Sequence, residues 1–122
     1  MTQQKRLSKE NYLMDIAEAV AVRATCPDLK VGTVIATLDG HILSTGYNGV
    51  AKNELHCKIK NGKCLENDSN HRVVHSEVNA ICQAARFGIK LDGCIAYITH
   101  EPCIKCKAIL KQAGIIKLII KK

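Results

Sequence analysis

The sequence is poor in aromatic residues. It holds three tyrosines, one phenylalanine and no tryptophan, 3% of the chain in all. Proteins that grip single strands stack bases on aromatic faces, so a general strand-binding platform is a poor fit. Long apolar runs are missing too. No stretch approaches the roughly 20 residues that span a bilayer, and no membrane role is expected. The opening "MTQQKRLSKENYL" is polar and has no apolar run before a small-residue cleavage site. No secretory leader is expected, and the cytoplasm is the expected compartment. Internal repeats, low-complexity tracts and long linkers are also absent. Acidic residues are outnumbered, 11 Asp and Glu against 18 Lys and Arg, for a net charge of +7. That balance favours an anionic partner or a solvated basic surface. With so few aromatics, a phosphorylated small molecule fits as well as a polynucleotide.

What the chain does have is cysteine. Seven is an odd number, so a complete disulfide framework fails on arithmetic. In a reducing compartment, clustered Cys and His read as metal ligands first. With 122 residues and 47% hydrophobic content, residues 1–122 make one domain that can bury its own core.

Ser8 to about Thr25 reads as a helix capped by Ser8 and stopped by Pro27, with Tyr12, Leu13, Ile16, Ala19, Val20 and Val22 as its apolar face. Val31 to Leu38 and Ile42 to Tyr47 read as a β-hairpin turning at Asp39-Gly40. Val50 to Arg72 is polar and reads as an irregular loop, functional or pinned. A helix over Val74 to Arg86, a strand over Cys94 to Thr99, a helix over Cys103 to Gln112 and a strand over Ile115 to Ile120 follow. The order α-β-β-α-β-α-β ends in a strand–helix–strand crossover, which implies parallel pairing. Helices should cover both faces of one mixed sheet of about four strands.

Two stretches carry chemistry. "HEPCIKCKAIL" places Cys103 and Cys106 three apart at a helix start, where they share a face and the dipole favours thiolates. "VVHSEVNAICQAA" opens another helix on His75 and Glu77. In an open α/β sheet, helix starts gather at the carboxyl ends of the strands. His75, Cys103 and Cys106 would then supply three ligands to a zinc with an open fourth position, the mark of a catalytic site. Such a zinc lowers the pKa of a water bound there. Glu77 beside it can take a proton and pass it to a leaving nitrogen. A lone C-x-x-C has a redox pair as its rival, and a lone H-x-E is commonly a surface pair. The two together, in this order, point to the metal.

With these motifs in place, the chain resembles the cytidine/deoxycytidylate zinc deaminase superfamily, whose signature is H-x-E…P-C-x-x-C, and within it the deoxycytidylate (dCMP) deaminases. "VAVRATC" resembles the R-S-T-C helix end of that family. "VGTVIATLDGHILSTGYNG" resembles its first hairpin and G-Y-N-G loop. "HSEVNAICQAARFGI" resembles H-A-E-x-N-A-I, with Ser76 in place of the usual Ala. "YITHEPCIKCKAILKQAGI" resembles its P-C-x-x-C region. The resemblance implies a cytidine-deaminase-like three-layer α-β-α fold and hydrolytic deamination of dCMP to dUMP with release of ammonia. It implies zinc on His75, Cys103 and Cys106, proton transfer by Glu77, and a nucleoside contact from Asn48. Asn48 has a plainer reading as half of an Asn-Gly turn. Arg23 and Arg72 are candidates for the 5′-phosphate, with plain surface roles as the alternative.

By the same resemblance, a second, structural zinc falls on Cys26, Cys57, Cys64 and His71, with His56 as the competing imidazole and free thiols as the alternative. Cys82 and Cys94 read as core residues, and His41 and His100 as surface or hydrogen-bonded ones. The expected partners are a small pyrimidine nucleotide and further copies of the chain, as a hexamer or dimer, and not nucleic acid. Ala51 stands where the family commonly has Pro. The chain is also C-terminally short against the family pattern, which continues past "IIKK" through aromatics into another strand and helix. An exposed sheet edge and a weakened nucleotide pocket are expected from that. The competing functions are a deaminase of bases within RNA or DNA, and a zinc-bound protein that binds a nucleotide or partner without turnover.

Overall fold

The computed structural model describes residues 5–26, 29–55, 59–64 and 72–122, except for the side chains of Ile59 and Cys64. Pro27, expected to stop the first helix, lies outside them. Helix α1 (Lys9–Ala21) starts where the sequence indicates, with Ser8 Oγ accepting from Asn11 N at 3.1 Å. It ends short of Thr25. After Ala21 the amides reach back only three residues, Arg23 to Val20 and Ala24 to Ala21, and the helix unwinds into turns. Its buried stripe is Leu13, Ala17 and Ala21. Tyr12 and Val22, expected on that face, are exposed at 49% and 74%, and Ala19 is exposed as well. Apolar residues run round more of this helix than the sheet covers, so the four-residue spacing of Leu13, Ala17 and Ala21 decides which side is buried.

Strands β1 (Gly32–Ala36) and β2 (Ile42–Tyr47) form the expected antiparallel hairpin, with Gly40 at φ +93 in its turn. The segment read as wholly irregular contains a small second hairpin. Strands β3 (Ile59–Lys60) and β4 (Lys63–Cys64) pair across Asn61-Gly62, both at positive φ, as a two-residue hairpin turn requires. Helix α2 (Ser76–Arg86), strand β5 (Ile95–Ile98), helix α3 (Ile104–Gln112) and strand β6 (Lys117–Ile120) complete the chain.

The main sheet has the order β2-β1-β5-β6. β1 runs antiparallel to both neighbours, and β5 and β6 are parallel, joined through α3. Alternation along the strands divides the core in two. Val34, Ala36, Ile95 and Tyr97 face α1 through Leu13 and Ala17. Ile35, Ala96 and Ile98 pack on the other side with Ala80, Ala84 and Leu110 of α2 and α3. The result is the three-layer α-β-α architecture. The same alternation puts Thr33, two residues before Ile35, on the α2 side. No helix among the described residues is long and apolar enough to cross a membrane.

Candidate metal centre and active site

The starts of α2 and α3 meet at one end of the sheet. Gly49 and Val74 exchange backbone hydrogen bonds of 3.2 and 2.8 Å, tying the loop after β2 to the residues that enter α2. Gly46 lets α2 lie against β2, because a Cβ there would strike Ser76 O and Ala80 N. Asn79 fastens the same junction, its Nδ2 donating to Tyr47 O at 2.7 Å and Val74 O at 3.2 Å. On the α3 side, Thr99 Oγ1 accepts from Gly32 N at 3.1 Å and lies 2.8 Å from His100 Nδ1. The loop into Pro102 and Cys103 is thus anchored to β1.

His75 is the N-cap residue of α2, yet its side chain makes no capping bond. Its ring turns to α3, with Nδ1 3.2 Å from Cys106 Sγ and 3.8 Å from Cys103 Sγ. The three candidate ligand atoms all lie within 4.8 Å of one another. Tetrahedral zinc with ordinary Zn–N and Zn–S bonds sets N and S about 3.6 Å apart, and the two observed separations straddle that value. Cys103 is the N-cap of α3, one residue before the helix proper, and its Sγ accepts from Cys106 N at 3.4 Å.

The two thiols are pushed in opposite directions. The amide hydrogen bond from Cys106 holds the Cys103 thiol below the usual range. Burial pushes Cys106 up to about 12, and the bond to Cys103 and the charge of Glu77 add to the rise. Protein groups alone therefore make Cys103 the easier of the two to ionise. A bound divalent cation deprotonates coordinating thiols outright, so this soft, close-set donor group fits zinc.

Glu77 is buried, 3% exposed. Its Oε1 accepts from Ser76 Oγ at 2.7 Å, and Ser76 Oγ lies 2.8 Å from Thr33 Oγ1. Asn48 is equally buried, and its Oδ1 accepts from Ser76 N at 2.8 Å. Asn48 thus supplies from the neighbouring loop the capping bond that His75 does not make. Thr33, Ser76, Asn79 and Thr99 were not singled out from sequence as site residues. Asn79 offered a signal, a poor helix former one turn inside α2. The pairing of Thr33 with Ser76 is visible only once β1 lies under the helix.

The remaining candidates are placed as follows. Arg72 is paired with Glu54, NH1 to Oε2 3.3 Å, with both side chains partly exposed. Arg23 is exposed in the turns after α1. Cys26 is fully buried and packs with Val73 and Val50. Cys57, His71 and the competing His56 lie outside the described residues, as does the Cys64 side chain. His41 is exposed beside Asp39, at 3.5 Å. Cys94 is buried as expected, but Cys82 is exposed. It sits two residues from both Ala80 and Ala84, the buried line of α2, and so points to the opposite side.

The zinc-binding region of cytidine and deoxycytidylate deaminases matches residues 7–122. The chain belongs to this deaminase family. ComE operon protein 2 of Bacillus subtilis is 40% identical over 111 residues, covering 91% of this chain and 58% of that protein. The chain thus spans little more than half the length of that relative. The deoxycytidylate deaminase of Enterobacteria phage T4 is 30% identical over 148 residues, 91% of this chain and 76% of the phage protein. Among solved structures, the dCMP deaminase of cyanophage S-TIM5 in complex with dCMP and dUMP superposes with a TM-score of 0.80 at 28% identity. That match covers 96% of this chain and 83% of the other. The three-layer fold matches that dCMP deaminase structure, and the close set of His75, Cys103 and Cys106 fits a catalytic zinc.

Proposed function

We propose that this protein deaminates dCMP to dUMP with release of ammonia. One observation carries the reading: a buried carboxylate, Glu77, stands two residues from His75 in a chain whose His75, Cys103 and Cys106 converge. Zinc held by these three supplies a water of lowered pKa. Glu77 takes a proton from the attacking water and delivers it to the departing nitrogen. The water oxygen bonds to C4 of the cytosine, the C4–N bond breaks, and ammonia leaves. Asn48 Oδ1 accepts from Ser76 N, and its amide nitrogen is the proposed donor to the nucleoside. Arg72 and Arg23 are proposed to hold the 5′-phosphate, Arg72 by exchanging its Glu54 partner for the nucleotide.

The direct test is ammonia release from dCMP, dCTP, cytidine and RNA in parallel. We expect dCMP to react best, and Glu77→Gln to keep fold and zinc while losing at least ~10²-fold in turnover. Robust release from RNA alone would replace this reading with a polynucleotide deaminase.

A second, structural zinc on Cys26, Cys57, Cys64 and His71 is part of the same proposal. It is supported by the buried position of Cys26 beside Val73, on the approach to α2. Metal analysis should return two zincs per chain, falling to one in Cys57→Ser with a lower melting temperature. A single zinc in intact protein rejects the second site. The family resemblance also supports assembly of copies, as a dimer or hexamer, which light scattering would read directly.

A further inference from the structure

The start of α2 holds a hydroxyl to which the proposed chemistry gives no task. Ser76 lies between His75 and Glu77, and its side chain is fully buried. Burying a hydroxyl is unfavourable unless it is hydrogen-bonded. Here it is bonded on two sides, 2.7 Å from Glu77 Oε1 and 2.8 Å from Thr33 Oγ1. The direction of these bonds follows from counting protons. Ser76 Oγ donates to Glu77 Oε1. Ser76 has one proton, so the hydroxyl of Thr33 must donate to Ser76. Thr33 is itself fully buried on β1, which has a strand on each side. The backbone of Ser76 is held as well, through Asn48 Oδ1. The serine is therefore fixed from the sheet and from the loop after β2.

We infer that Ser76, oriented by Thr33, is a positioning residue for the Glu77 carboxylate. Its bond fixes Oε1 and leaves Oε2 as the oxygen that faces the reacting water and the leaving nitrogen. The inference rests on the deaminase reading of Glu77. The alternative role for the hydroxyl pair is to hold α2 against β1.

The two roles separate in kinetics. Ser76→Ala in the zinc-loaded protein should lower kcat roughly 10-fold or more, the scale of one hydrogen bond to a charged group. KM and zinc content should stay near wild type, with a lower melting temperature because the buried Thr33 hydroxyl loses its Ser76 partner. Thr33→Val should lower kcat less, and Thr33→Ser, which keeps the donor, should restore it. Because Thr33 acts only through Ser76, Thr33→Val should cost nothing further in the Ser76→Ala background. A crystal structure of Ser76→Ala should show the Glu77 carboxylate turned or in two conformers, whatever the activity of the preparation.

Wild-type kcat in Ser76→Ala, or an equal cost of Thr33→Val in both backgrounds, overturns the inference. So does a Glu77 unmoved in the variant structure. An active Glu77→Gln would instead strike at the deaminase reading. A dead Glu77→Gln beside a fully active Ser76→Ala would leave that reading standing and remove only this one.

Discussion

A residue at a helix start can serve the helix or a ligand, and here the two duties are divided between residues. His75 occupies the N-cap position of α2 but gives its imidazole to the thiols, while Asn48 provides the acceptor for Ser76 N. At α3 one residue does both, since Cys103 accepts from Cys106 N and belongs to the ligand set. The division at α2 makes Asn48 testable in two halves. Asn48→Ala removes the capping acceptor and should destabilise the protein by about 1 kcal/mol, the usual cost of a lost cap. Asn48→Asp keeps the acceptor at the favourable end of the helix dipole but removes the amide donor. It should retain most of the stability and raise KM for the nucleotide. Thermal unfolding and steady-state kinetics of the pair check this. Equal KM in Asn48→Asp and wild type would leave Asn48 as a cap alone.

Among the elements, the seating of α2 on β2 decides whether the site forms. The contact is possible because Gly46 has no side chain, so Ser76 O and Ala80 N approach its backbone directly. Gly46→Ala must push the first turn of α2 outward, and His75 and Glu77 move with it. Overpacking of this kind typically costs about 1–3 kcal/mol, and zinc affinity should fall together with the melting temperature. A variant with wild-type stability and full zinc would mean that α2 has room to spare.

The glycine was legible in sequence only as part of a loop motif, because its partner is thirty residues away in a helix. Features with local causes were read well. Ser8 capped α1, Asp39-Gly40 turned the hairpin, and the two short-spaced ligand motifs lay at helix starts. What failed depended on neighbours. Tyr12 and Val22 are apolar yet exposed, because only one stripe of α1 meets the sheet. Asn61-Gly62 is a turn signal in a polar segment that lacks the apolar alternation marking longer strands.

At the scale of the whole molecule, the three layers put the ends of β2 and β5 and the starts of α2 and α3 on one side, and under the proposed function a chain of net charge +7 recognises its substrate there. Such a charge draws anions in general but does not select among them. Selection of a monophosphate needs placed groups, and Arg72 and Arg23 are the proposed ones. Arg72 is already held by Glu54 at 3.3 Å, so a phosphate has to displace a carboxylate that is partly exposed and weakly bound. Phosphate, like carboxylate, makes charge-assisted and often bidentate bonds to Arg, so it competes for the same donors. Losing such a contact costs about 1.5–3 kcal/mol, so deoxycytidine should react at least ~10-fold less efficiently than dCMP in kcat/KM. Arg72→Ala should lower kcat/KM for dCMP and leave deoxycytidine nearly unchanged, narrowing the ratio. Glu54→Gln should move the other way, by removing the carboxylate that competes with the phosphate. A defect common to both substrates cancels in the ratio, so the comparison reads the phosphate contact alone. Equal kcat/KM for dCMP and deoxycytidine in the wild-type protein would rule out a phosphate site and place its substrate among the nucleosides.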